Sequence, residues 1–443
     1  MSGVIVEGGA PLLGTVQVSG TRNSALKLMA AAMFSNDDVI IQNVPKIGAI
    51  EDDISMIKLL GGKAEWAGTG RLILNGSGIT SHEIPLDVGS KYRTSVLLVP
   101  PLLFRFGKAS LPKFKPLSGE ISNINRTLEA WKSLGITVEE DESYYYISSS
   151  SATASHINFK IPSHLATDIA IMTASFLAGE SEIHNASEES EIEDLIGLIN
   201  SMGGEVVRTE PRVIKVKGVN IFKGASCSVQ SDKIEAAIFA MAALLTKGNL
   251  EIRNIDRNVM IPLVNFLTKI GARYELSQNV LKIWRHGEEL QAANLTIAPT
   301  PGFISDWQST ATLLLTQCSG ESLIHDTVYT DRFGYTKDLN RMGAKIELLR
   351  PSEVGIAPAI SDDGYDIEKQ GEPYTVAKTN GPVKLKGEKL DIADFRFGPV
   401  HLLAGLVAEG RSDIDGIDIV DGYIENFSIK LKNLGANIWD QRE

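Results

Sequence analysis

The sequence predicts an α/β fold of two domains, each holding three copies of one structural unit. Three observations carry that expectation: a glycine turn that recurs six times, an apolar small-residue helix upstream of each turn, and alternating strands around both. The turn reads large apolar residue, glycine, small residue, strand. Its copies are Leu60-Gly61-Gly62-Lys63-Ala64, Leu134-Gly135-Ile136-Thr137-Val138, Met202-Gly203-Gly204-Glu205-Val206, Ile270-Gly271-Ala272-Arg273-Tyr274, Met342-Gly343-Ala344-Lys345-Ile346 and Leu434-Gly435-Ala436-Asn437-Ile438. A spacing of about 70 residues, longer at the end, marks a repeat architecture. Each glycine is predicted just past a helix end, in the left-handed region that only a residue without Cβ adopts cheaply.

The elements follow in order. A strand carrying Val16 and Val18 stops at Ser19-Gly20, and a helix apolar nearly all round runs over Ala25–Phe34. A helix of that kind has to be buried. Its counterparts are Ser95–Phe106, Thr167–Leu177, Glu235–Thr246, Gln308–Cys318 and Val400–Glu409, and strands such as Val39–Asn43, Glu182–Asn185 and Leu250–Asn254 follow. Each unit is therefore strand, buried helix, strand, amphipathic helix, glycine turn, strand. The natural break falls near Gln230, giving one domain over 21–230 and a second over 1–20 plus 231–443, closed by the strand around Val4–Val6. Arg350–Glu388, rich in Pro, Gly, Asp and Lys, reads as an insertion in the last unit, an extended loop or added hairpin.

Bulk properties narrow the partners. The 443 residues carry a net charge of −12 with 43% apolar residues, which recommends neither nucleic acid nor a membrane surface. Cys227 and Cys318 stand apart without metal-ligand spacing, so neither a disulfide framework nor a metal site is predicted, and Cys318 reads as a buried inert thiol. No basic stretch followed by a long apolar core opens the sequence, and the expectation is a cytoplasmic protein.

Polar residues collect where the buried helices begin: Thr21-Arg22-Asn23, Ser90 to Thr94, Ser163-His164 through Asp168, Ser231-Asp232-Lys233, Ser305-Asp306-Trp307-Gln308 and Asp394-Phe395-Arg396-Phe397. Capping explains Ser, Thr and Asp. It does not explain Arg22, Arg93 and Arg396, because a cation is disfavoured at a helix N-terminus unless an anion is shared between them. Asp306 reads either as an ion partner of these arginines or as a general base for a substrate hydroxyl. Asp394 orients Arg396, and His164 is a ligand contact without a companion at metal or nucleophile spacing.

Ser19-Gly20-Thr21-Arg22-Asn23-Ser24-Ala25-Leu26, Ile41-Gln42-Asn43-Val44-Pro45-Lys46 and the six turns together resemble the UDP-N-acetylglucosamine enolpyruvyl transferases, and more distantly the 5-enolpyruvylshikimate-3-phosphate synthases. The resemblance covers essentially the whole chain. It implies a two-domain inverse α/β prism with buried parallel helices inside six repeats. It also implies transfer of the enolpyruvyl group of phosphoenolpyruvate to a hydroxyl of a nucleotide or nucleotide sugar, with phosphate released and no cofactor. On the matching positions it makes Asp306 the base and Arg22 and Asn23 catalytic. Arg93, Arg332, Arg396, Asp394, Lys46, Ser163, His164 and Lys115 become substrate contacts, and a mobile loop is expected over about 112–122. The departures are equally specific. The loop around Lys113–Glu120 has neither the family's cysteine or aspartate nor its Arg-Pro, Arg22 replaces a lysine, and Asp421 stands where an arginine precedes Gly-Tyr. Lys113, Lys115 and Arg126 are the substitutes on offer. These departures imply a specialised transferase with another acceptor, or an altered relative that binds a nucleotide or sugar phosphate or uses another anionic cosubstrate.

Overall fold

The computed structural model describes residues 3–114, 124–361 and 365–441. The chain divides into two compact units, residues 20–230 and residues 1–19 with 231–443. Among the described residues the strands form six sheets, three in each unit. The expected glycine turns are all present: φ is +97° at Gly61, +72° at Gly135, +97° at Gly203, +76° at Gly271, +107° at Gly343 and +96° at Gly435. A side chain there would press against the following carbonyl, so each helix stops at this residue and the chain reverses into a strand.

In the unit 20–230, the buried helices are Arg22–Ala32, Val99–Phe106 (entered through the 3-10 helix Arg93–Leu98) and His164–Ala174. Ala25, Leu28, Met29 and Ala32 of the first are 0% exposed, so the helix is held by burial rather than by amphipathic facing. Each fully buried Leu or Met contributes roughly 1.5–3 kcal/mol. This helix packs against the 3-10 helix and against Gly48–Leu59 and Ser190–Ser201, while the second and third buried helices pack on each other. Around them, His156–Asn158 runs parallel to Glu180–His184, which pairs antiparallel with Val213–Lys217. The sheet of Val39–Gln42 repeats that plan, closed by the parallel Ser226–Ser228, while the sheet of Lys108–Pro112 keeps only its three antiparallel strands and a parallel bridge from Glu83 to Ser110.

In the other unit, Lys233–Leu245, Gln308–Leu315 and Gly398–Val407 pack on one another. The first strand of the chain, Gly3–Glu7, lies antiparallel between Arg411–Asp415 and Asn437–Asp440. Leu13–Gln17 similarly joins Asn249–Arg253 in parallel. Among the described residues no helix is long and apolar enough to cross a membrane.

One expectation needs correcting. Arg350–Glu388 is not wholly an insertion, because Val376–Gly381 is an integral strand between Gly320–Asp326 and Glu347–Leu349. The excursion is confined to about 350–375 and lies in the fifth repeat. Lysine, asparagine and glycine in the strand hid it, since its partner strands rather than its own composition hold it extended. Cys318 is buried as expected, with Sγ donating to the Leu314 carbonyl, and burial pushes its thiol up to about 12.

Candidate active site

In the unit containing 231–443, Asp306 sits in the 3-10 helix Ser305–Trp307 that feeds Gln308–Leu315. The turn is clamped from beneath. Trp307, 1% exposed, donates from Nε1 to the Lys233 carbonyl at 3.1 Å. Ser305 Oγ and Gln308 Nε2 donate to one Asp326 oxygen, at 3.1 and 3.5 Å, and the backbone amides of Val328 and Tyr329 donate to the other at 2.8 and 3.1 Å. Asp326 is thus consumed as a buried organiser, whereas Asp306 is exposed.

Arg332 faces this turn. Burial works against its charge, but Tyr329, Asp306, Asp326 and Asp331 outweigh it and keep the guanidinium firmly protonated. Its carbon lies 4.1 Å from the Tyr329 ring centroid, and its buried Nε has no hydrogen-bond partner among the described residues. Arg396 is held in a fork by Asp394, with Nε 2.8 Å from Oδ2 and a terminal nitrogen at 2.5 Å from the same oxygen. Burial opposes ionisation of Asp394, yet the side-chain and backbone hydrogen bonds of Arg396 and the charges of Arg396 and Arg332 hold its carboxyl below the usual range. A small cavity is lined by Asp306, Arg396, Ser309, Thr310, Phe395 and Tyr423, the last two stacked at 4.6 Å. Asp306, Arg332, Asp394 and Arg396, scattered over ninety residues of sequence, therefore meet within one unit. Paired guanidinium groups beside an exposed carboxylate can hold a carboxylate or phosphate next to a proton acceptor.

In the unit 20–230, Arg22 is the first residue of its helix, and Thr21 before it makes no side-chain cap. Its charge is felt by Asp53, only 5% exposed: burial and then Asp52 push that carboxyl up to about 8, with Arg22 pulling the other way. Tyr92 joins the group, raised to about 12 by burial, by its hydrogen bond to Asp52 and by the charges of Asp52 and Asp53. Arg93 is exposed at the start of the 3-10 helix that packs against the Arg22 helix, and Lys46 is exposed before Gly48–Leu59. Ser163 caps its helix, accepting from the Ala166 amide at 3.3 Å. Arg126 donates to the Pro162 carbonyl at 3.2 Å, just before that cap, and Lys113 pairs with Glu140 at 2.8 Å. Lys115 and most of the expected loop lie outside the described residues.

A residue that sequence reasoning passed over ties these helix starts together. Lys27, 2% exposed, reaches Asp168 at 2.7 Å and His164 Nε2 at 2.5 Å. Asn23 and Lys27 share one face of their helix at i, i+4, as His164 and Asp168 do on theirs.

The chain matches the family described as EPSP synthase (3-phosphoshikimate 1-carboxyvinyltransferase) over residues 6–431. The chain belongs to that family. It is 32% identical to the UDP-N-acetylglucosamine 1-carboxyvinyltransferase of Desulfosudis oleivorans over 440 residues, covering 99% of each. It is 31% identical to the enzyme of the same name from Chlamydia trachomatis serovar D, covering 99% of this chain and 98% of that one. Its structure is similar to that of the enolpyruvyl transferase NikO from Streptomyces tendae, with a TM-score of 0.85 at 20% identity over 99% and 98% of the two chains.

Asp421 accepts the Ser428 amide at 3.1 Å and its hydroxyl at 2.8 Å, and so serves the start of helix Phe427–Asn433. Lys27 was legible after all, as a lone ammonium in the middle of an apolar helix. Asp326 and Asp53 carried no signal, because their roles depend on which turns fold over them.

The Asp53 environment has a consequence for stability. Its folded-state pKa of about 8 lies above the ordinary 3.8, so the folded protein holds this proton more tightly than the unfolded chain. The associated stability is full below about pH 4 and is lost as pH rises through about 8. Asp53→Asn should flatten the decline in stability across that window, as read by urea denaturation at stepped pH. An unaltered slope would show that Asp53 does not carry it.

Proposed function

We propose that this chain transfers the enolpyruvyl group of phosphoenolpyruvate to a hydroxyl of a nucleotide sugar of the UDP-N-acetylglucosamine type and releases phosphate. The observation that carries the reading is Asp306, exposed beside Arg332 and Arg396, in a chain about as long as relatives that bear that activity in their names. In this reading Asp306 removes the acceptor hydroxyl proton as the oxygen bonds to C2 of phosphoenolpyruvate and C3 gains a proton. Elimination then takes the proton from C3, expels phosphate and restores the double bond. Arg332 and Arg396 hold the carboxylate and phosphate throughout, and their fixed donors stabilise the charge that develops. Arg22 and Asn23 stand at the buried helix start of the other unit, and Lys46, Arg93, Ser163 and His164 contact the acceptor. The units 20–230 and 1–19 with 231–443 would be the two prism domains.

A second reading is favoured by one specific feature, Asp421 committed to Ser428 where an anion-binding arginine is expected. On that reading the chain binds a nucleotide or sugar phosphate, or uses another anionic cosubstrate. Phosphate release from phosphoenolpyruvate, measured with a panel of nucleotide sugars, nucleotides and free sugars, separates the two. Acceptor-dependent release supports transfer. Saturable nucleotide-sugar binding by calorimetry, unaffected by phosphoenolpyruvate and without phosphate release, supports the second.

A further inference from the structure

Away from the helix starts, on the solvent face of one sheet in the unit 20–230, His156, Glu182 and His184 converge. Strand His156–Asn158 runs parallel to Glu180–His184, with His156 directly opposite Glu182. Side chains two apart on a strand share a face, and here Ser181, Ile157 and Ile183 turn into the core while Glu182, His184 and His156 turn outward. His184 Nε2 already lies 2.9 Å from a Glu182 oxygen, the two imidazole centroids are 6.3 Å apart, and all three donor atoms fall within 4.8 Å of one another. Among the described residues this is the one grouping of its kind.

We propose that His156, Glu182 and His184 form a binding site for a borderline divalent transition metal of the Zn²⁺ type. Two imidazoles and one carboxylate are the donor set such ions prefer over the all-oxygen sets of Mg²⁺ and Ca²⁺. Tetrahedral coordination requires donors about 3.4 Å apart, and outward-facing side chains on a paired sheet reach that by small rotations. Lys215 Nζ, 3.8 Å from the second Glu182 oxygen on the neighbouring strand, is the carboxylate's present cationic partner, which the ion would replace. Asn158 occupies the position across from His184 on the same face. The open coordination positions face water. The ion would tie a three-residue edge strand to its neighbour, a structural role separate from the helix starts.

The site left no mark in the sequence because His156 stands 26 residues from Glu182 and meets Glu182 and His184 only through strand register. The test uses the full chain, stripped with a chelator and titrated with Zn²⁺ against a chromophoric competitor, with Co²⁺ absorption as a second readout. One equivalent should bind, and His156→Asn and His184→Asn should each weaken it by more than about tenfold, since loss of an outer-shell partner alone costs that much. His286→Asn, an exposed histidine in the other unit, should leave it unchanged. Absence of saturable binding, or binding that survives either of the first two substitutions, overturns the assignment.

Discussion

Asp306→Asn should cut turnover by a factor of about 10²–10⁴, the usual worth of a positioned general base, while the folded protein keeps its stability. The side chain is exposed, and Trp307, Ser305 and Gln308 position the turn through contacts that do not use the Asp306 carboxylate. Asparagine fills the same volume but takes no proton. Phosphoenolpyruvate affinity should survive, since Arg332 and Arg396 remain and one carboxylate charge competing for Arg332 is gone. The measurements are kcat and KM for phosphate release together with a urea denaturation curve. If Asp306 is instead only an ion partner of the arginines, stability and substrate affinity change and kcat does not.

Lys27→Met should be the most damaging single change to the fold of the unit 20–230. Asp168 is 2% exposed and burial already pushes its carboxyl up to about 6, with Lys27 the chief restraint. Breaking a buried pair by removing one partner costs about 3–5 kcal/mol, because an uncompensated charge remains. The sign with pH follows. A folded-state pKa above the ordinary 3.8 gives stability that is complete below that value and lost as pH rises through the folded value. Removing Lys27 moves the folded value further up. The variant should therefore be weakest at alkaline pH and recover as the solution approaches pH 4. Lys27→Met with Asp168→Leu should regain most of the loss at neutral pH, since a buried pair replaced by apolar residues of similar volume is often neutral or better. Equal stability of the single and double variants in urea would count against an isolated buried charge.

The local chemistry of the chain settled a great deal without reference to its partners. Gly61, Gly135, Gly203, Gly271, Gly343 and Gly435 announce helix ends because a left-handed residue is a property of the backbone itself. The all-apolar helices announce burial because no face of them tolerates water. Tertiary structure alone decided the rest. Val376–Gly381 is a strand because Gly320–Asp326 and Glu347–Leu349 lie on either side of it, not because of its own residues. Asp306 and Asp326 are both carboxylates near Arg332, yet the turn over Asp326 consumes its oxygens and leaves those of Asp306 open to solvent. Lys27 and Asp168, 141 residues apart, become one buried pair only when two helix starts pack side by side. Residue type and spacing fix conformations that depend on neighbours in sequence. Which charge is buried, paired or left free depends on the dielectric and the donors that distant segments bring, and that is decided only in the folded chain.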